Sequence, residues 1–262
     1  MIFNYSVNKF KCVFTVFLLV FGINLKPQSP KDTCLKMHLV GAGLSIQNPG
    51  GKLAERYGYN MDVGVSYFFK TGKNLLIGID PHYFYGNQVK EDVLAPLKTP
   101  EGTITNSDGN FGVIRINERG WNLHLCVGKI FPKIFGKKIG YNPNSGITAI
   151  AGIGYMLHYI SFLNEERNIP QISGAYKKGY DRLTGGPCLK QFIGYTFLSN
   201  NRLLNFYGGF EFYQGFTKSL RSYDYDLMQR DQQSRIDLLF GFRLGWILPI
   251  YKRKESDNLF IY

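Results

Sequence analysis

From residue 59 every second side chain is apolar for six steps, Tyr59, Met61, Val63, Val65, Tyr67 and Phe69, and Asn60, Asp62, Gly64 and Ser66 fill the places between. Side chains alternate faces along a strand, so this is a strand with one apolar and one polar face. The same period returns in eight segments, and after residue 22 no apolar run is long enough for a membrane helix. An apolar outer face and a polar inner face suit a bilayer wrapped around a filled lumen. In hydrocarbon every backbone group must be paired within the protein, so the sheet can have no edge. The pattern predicts an all-β chain: an eight-stranded antiparallel up-and-down transmembrane β-barrel with a polar packed lumen.

The strands read at about 37–47, 58–70, 75–87, 121–127, 147–159, 189–197, 204–212 and 236–248. Their connections differ in length. Thr71-Gly72-Lys73 and Asn200-Asn201 read as tight hairpin turns, whereas 88–118, 164–185 and 217–234 are long and polar. Bacterial barrels keep short turns in the periplasm and long loops outside, which puts both termini in the periplasm of a Gram-negative outer membrane.

Residues 1–29 fit that address. Lys9 and Lys11 precede an apolar run at 12–22, and Pro27, Gln28 and Ser29 follow, which is the order of a signal peptide. The domain is then 30–262, with the barrel at about 36–251 and a tail at 252–262. Cys12 leaves with the leader, and Cys34, Cys126 and Cys188 are an odd set that argues against a disulfide framework. The net charge of +12 is uneven: basic residues gather at the short-turn end, while the long loops are nearly balanced. Such an end meets anionic headgroups or a periplasmic partner, and in this compartment nucleic acid is excluded as a partner.

Inward positions hold Asp62, Asp80, Glu211 and Asp237 with Lys190 and Arg243, and His82, His124 and His158 among them. An eight-stranded barrel has room for little more than side chains, so the many inward glycines make space for these charges and for Phe192, Tyr207 and Tyr213. Two pairings follow from the turns. With a two-residue turn at Asn200-Asn201, Lys190 faces Glu211, and with a three-residue turn at 71–73, Asp62 faces His82.

The histidines come from different strands at different heights, so they read as lumen hydrogen-bonders and no metal or other cofactor is called. His158 and Ser161 fall on opposite faces, and Gly185-Gly186 reads as a turn with no helix after it, so neither supplies a catalytic motif. The reading is of a chain that is not an enzyme.

Ser173-Gly174-Ala175-Tyr176-Lys177-Lys178-Gly179-Tyr180-Asp181-Arg182-Leu183 in the third long loop is one telling segment, and Gly209-Phe210-Glu211-Phe212-Tyr213-Gln214-Gly215-Phe216-Thr217 is a second. With Arg235-Ile236-Asp237-Leu238-Leu239-Phe240-Gly241 and Trp246-Ile247-Leu248-Pro249-Ile250-Tyr251-Lys252-Arg253-Lys254, they give residues 120–255 the look of one family. The chain resembles the small outer-membrane β-barrel proteins of Bacteroidota. The resemblance implies the eight-stranded outer-membrane fold and a diderm host, and it brings no catalytic residues.

One departure concerns the end of the chain. Pro249 cannot donate to a ladder, so the last strand should stop there and leave a tail, polar first and then apolar at Leu259, Phe260, Ile261 and Tyr262. The tail and the basic turn at 132–145 offer Lys133, Lys137, Lys138, Lys252, Arg253, Lys254 and Phe260 as contacts for a protein partner. The function read from all this is an accessory subunit or scaffold of an envelope complex, such as an outer-membrane assembly or secretion machine, in contact with outer-membrane lipids including lipopolysaccharide. A narrow pore and a lipid-modifying barrel enzyme are the alternatives.

Overall fold

The computed structural model describes residues 34–132, 142–164, 169–199 and 204–250. The predicted signal peptide, the centre of the basic turn, Asn200-Asn201 and the tail lie outside these residues, and so do Lys133, Lys137, Lys138, Lys252, Arg253, Lys254 and Phe260.

Eight long strands close into one barrel. They are β1 (Met37–Gly51), β2 (Asn60–Lys70), β3 (Leu75–Gly86), β6 (Ile114–Phe131), β7 (Gly146–Asn164), β8 (Thr184–Leu198), β9 (Asn205–Ser219) and β10 (Ser234–Ile250). A short helix α1 (Leu53–Arg56) joins β1 to β2, and a small hairpin of β4 (Ile104–Thr105) and β5 (Phe111–Gly112) sits in the β3–β6 loop. Every neighbour in the barrel is antiparallel and next in chain order, and β1 pairs with β10 to close the ring. His38 lies opposite Ile250, so the barrel begins and ends at one rim. Among the described residues no helix is long and apolar enough to cross a membrane, which says nothing of strands.

The period-two pattern decides what faces where. On β2, Met61, Val63, Val65 and Tyr67 are exposed, and Asn60, Asp62, Gly64 and Ser66 between them are buried. The outer wall carries Leu44, Ile79, Leu125, Ile153, Ile193, Phe210 and Leu244, all exposed. A belt of that size is unsuited to water and suited to lipid.

Several expectations need correction. The strands are longer than the pattern suggested: β1 continues to Gly51, and β9 runs two residues beyond Thr217, because pairing persists past the apolar belt. Gly185 and Gly186 are not a turn but lie within β8. β10 passes through Pro249 to Ile250, with Leu39 opposite the proline.

Both turn-based registers are off by two. Lys70 pairs with Leu76, and the Thr71 N–H donates to the Leu75 carbonyl, so the β2–β3 connection is longer than 71–73. Asn74 makes this possible by adopting φ 59, a conformation Asn tolerates, and its buried amide donates to the Pro143 carbonyl. At the other turn, Leu198 is opposite Asn205, which leaves more residues outside the ladder than Asn200-Asn201 alone.

The lumen is layered and not uniformly polar. At the short-turn end Met37, Leu39, Phe68, Leu76, Ile130, Leu198 and Ile247 form one apolar cluster. At the long-loop end Leu53, Tyr57, Phe84, Leu94, Met156, Ile160 and Ile169 belong to another, built from strands and loops together. Asp62, Asp80, His82, Lys190, Glu211 and Arg243 occupy the level between, while Lys70 is buried at the short-turn rim and Glu118 and Asp237 toward the long loops.

Candidate functional site: the charged layer of the lumen

Asp80 is the hub of this layer. Lys190 Nζ donates to its Oδ2 at 2.6 Å and Arg243 Nη1 at 3.2 Å, and His82 Nε2 lies 2.9 Å from its Oδ1. His82 Nδ1 is 2.7 Å from Asp62 Oδ1. Lys190 Nζ and Arg243 Nη1 each also lie 2.9 Å from His82 Nε2, so the imidazole stands between Asp62 on one side and Asp80 with its two cations on the other.

Glu211 completes the ring. It accepts from Ser45 Oγ at 2.6 Å, Gln47 Nε2 at 2.7 Å and the Tyr213 hydroxyl at 3.0 Å. Lys190 and Arg243 stand off from it at 3.9 and 3.8 Å. Aromatic faces cover the cations, Tyr213 under Lys190 and Tyr207 under Arg243. All six ionisable side chains are at most 3% exposed.

The two expected pairings are therefore made differently. Lys190 faces Tyr213, and Glu211 faces Phe192, so Lys190 reaches across the lumen to Asp80 and is only at the edge of ion-pair distance from Glu211. Asp62 faces Phe84 and Gly64 faces His82, yet the imidazole leans diagonally onto Asp62. Glycine permits that lean: a Cβ on Gly64 would sit 2.5 Å from His82 Nδ1, and one on Gly245 2.2 Å from the Tyr207 ring.

Nearer the long loops a second set begins. His158 Nε2 is 3.0 Å from Asp237 Oδ2, and Thr217 Oγ1 donates to the same oxygen at 2.5 Å. Asn60 donates to Glu118 at 3.1 Å. His124 packs against the Tyr213 ring, and neither of its nitrogens has a hydrogen-bond partner among the described residues, so the histidines do not converge there. Among the described residues no group of three or more His, Cys, Asp or Glu could hold a metal ion, and Cys34, Cys126 and Cys188 are free thiols.

Above this lies a lock that the sequence reading missed. Arg182, at φ 50, donates to Glu91 at 2.9 Å and pairs with Asp224 at 2.6 Å and Asp226 at 2.5 Å. Arg56 of α1 donates to Glu91 at 3.1 Å, to Thr184 Oγ1 at 3.2 Å and to the Arg182 carbonyl at 3.3 Å. Arg221 pairs with Asp181. The three long connections and the shorter β1–β2 connection that carries α1 are joined through these contacts. Burial works against the Arg56 charge, but Tyr57, Glu91 and Asp237 outweigh it and hold its pKa above the ordinary value. Burial lifts Asp224 and Asp226 above the usual carboxylate range, and Arg182 only partly offsets it. These residues come from separate loops with no shared period, so the only advance signal was the charge density of residues 173–183.

Among the described residues one cavity opens inside the barrel below the charged layer. It has about 40 Å3 and lies below Asp80, Lys190 and Arg243, among Phe68, Ile130 and Ile150. That is room for a very few waters and not for a solute. The layer thus does the work of a packed ionic core: it joins β2, β3, β8, β9 and β10 across the lumen.

No protein-family model matches the chain, and no curated protein matches it. Similar solved structures include Neisserial surface protein A, with 9% identity, 80% of this chain and 96% of that one covered, and a TM-score of 0.42. Ail of Yersinia pestis is similar with 9% identity, 82% and 99% coverage and a TM-score of 0.37. A major outer membrane protein from Thermus thermophilus gives 11%, 81% and 99%, and 0.40. At these values no residue role is carried across.

Proposed function

We propose that this chain is a non-conducting outer-membrane barrel, of the Bacteroidota kind its sequence resembles, that works through its surfaces as an accessory subunit or scaffold of an envelope complex. The observation that carries this reading is the three-level lumen, apolar, ionic and apolar, beneath loops joined by Arg182. A pore needs a continuous polar path, and an enzyme needs an accessible cleft with a positioned nucleophile. A filled barrel leaves the two rims and the wall as places to act. The long loops face outward and both termini face the periplasm, as lengths of connection in such barrels go. The basic turn at 132–145 and the tail at 252–262 form the partner face, with Lys133, Lys137, Lys138, Lys252, Arg253, Lys254 and Phe260 as its contacts.

The test is gentle solubilisation of native membranes and identification of what co-purifies. Deleting residues 253–262 and neutralising Lys133, Lys137 and Lys138 should remove the partner while the barrel still folds. Retention of the same partner, with its loss on shortening 88–118, would place the contacts outside and contradict the scaffold face.

A further inference from the structure

At the loop end of β8 the sequence Gly185-Gly186-Pro187 puts no long side chain on the wall. Here the β8–β9 ladder passes from Gly185↔Lys218 to Cys188↔Gly215 without pairing the two positions between. Pro187 has no N–H to give. Gly186 comes so near its neighbour strand that a Cβ would sit 2.0 Å from the Phe216 carbonyl oxygen, so no larger residue fits. The wall is left with a hollow of about 530 Å3, bounded by Tyr155 of β7, Pro187, Phe216 of β9 and Ile236 of β10. Small-ligand sites have volumes in this range.

The position of the hollow limits what can fill it. Tyr155, Phe216 and Ile236 belong to the exposed apolar wall, so the neighbour is the bilayer. Its lining also includes two cations, Lys218 and Arg235. Lys218 is exposed and makes no ion pair among the described residues. Arg235 engages Asp231 through Nη2, while its buried Nη1 has no hydrogen-bond partner. Arg235 is thus neutralised by Asp231, and an apolar trough with the exposed Lys218 ammonium beside it complements a lipid that carries phosphate above acyl chains.

We propose that this hollow binds a phosphorylated glycolipid of the outer leaflet. Its phosphate sits at the exposed Lys218 ammonium, and one acyl chain lies along Gly185 and Pro187 between Tyr155 and Phe216. The inference rests on the reading that the long loops face outward, since the hollow lies at their end of the barrel.

The experiment is native mass spectrometry of the full-length protein in detergent, titrated with bis-phosphorylated lipid A, with phosphate-free lipid A and with phosphatidylglycerol. Lys218 is exposed, so Lys218→Gln and Lys218→Glu should fold, which heat-modifiable migration checks. Retention of bis-phosphorylated lipid A should fall roughly tenfold in Lys218→Gln and further in Lys218→Glu. Phosphate-free lipid A should bind all three proteins equally weakly. Unchanged retention in Lys218→Glu overturns the site, as does equal retention of phosphatidylglycerol or occupation of the wall by a second copy of the chain. Failure of the underlying orientation is read separately: protease added to intact cells carrying the Arg182→Ala protein, whose 220–233 segment is released, would then fail to cut within that segment.

Discussion

The ion pairs around Asp80 and those around Arg182 use the same chemistry on different supports. Asp62, Asp80, Lys190, Glu211 and Arg243 each stand on a barrel strand, where register fixes their height and the alternation fixes their direction. Glu91, Arg182, Asp224 and Asp226 stand on connections, and Arg182 holds a backbone conformation that non-glycine residues seldom adopt. Inside the barrel, losing one partner strands the others in a medium without water. Among the loops, the same loss lets a segment swing out into solvent. Charge in the first place is part of the cooperative unit, and in the second it sets only whether the cap stays down.

Asp80→Ala should have the largest effect, because it leaves Lys190 and Arg243 without their nearest carboxylate. The expected cost is about 3 to 5 kcal/mol of barrel stability, read as the urea midpoint of heat-modifiable migration. A midpoint equal to that of wild type would show that the layer is not part of the cooperative unit. Gly64→Val tests the same layer by crowding, since its Cβ must displace His82. Overpacking of this kind costs about 1 to 3 kcal/mol, and the same titration should show an intermediate midpoint.

Arg182→Ala should separate the two regions. The barrel midpoint should move little, while 220–233 becomes cleavable by protease in the folded protein. A barrel that unfolds as a whole would mean that loops and strands form one unit and would erase the contrast.

The smallest effect concerns pH. Asp224 and Asp226 have folded pKa values raised above their unfolded ones, chiefly by burial. The folded cap therefore binds protons more tightly than the open chain, and its stability rises as pH falls from above the raised values toward the ordinary carboxylate value. Hydrogen exchange in the 220–233 segment should slow across that window. Faster exchange would mean that the ion pair with Arg182, and not burial, dominates there.

Much of this was legible in the sequence, for a reason that also marks its limit. Alternation is a local property, so inward Asp62, Asp80, Lys190 and Arg243 could be named without knowing which strand faces which. Register is set by turns, and turns depend on details such as the left-handed Asn74 and its bond to Pro143, which no short pattern records. Hence the facing positions shift while the partners stay near: Lys190 comes within 3.9 Å of Glu211 as expected but stands opposite Tyr213, and its short contact is with Asp80. The apolar clusters at both ends were hidden for another cause. Met37, Leu39, Phe68 and Ile247 are inward residues beyond the polar middle, and Leu53 and Leu94 come from connections that carry no period. The Arg182 lock was invisible because its members meet only when four separate connections fold over one rim.

Conductance across a planar bilayer, recorded with the folded full-length chain at high salt, tests the filled lumen most directly. With apolar clusters above and below the Asp80 layer, insertion should add no current steps to those of the bare membrane, and Arg182→Ala should stay silent because the strands alone still close the lower level. Steady ohmic steps from the unmodified protein would contradict the account and make the lumen a conducting path.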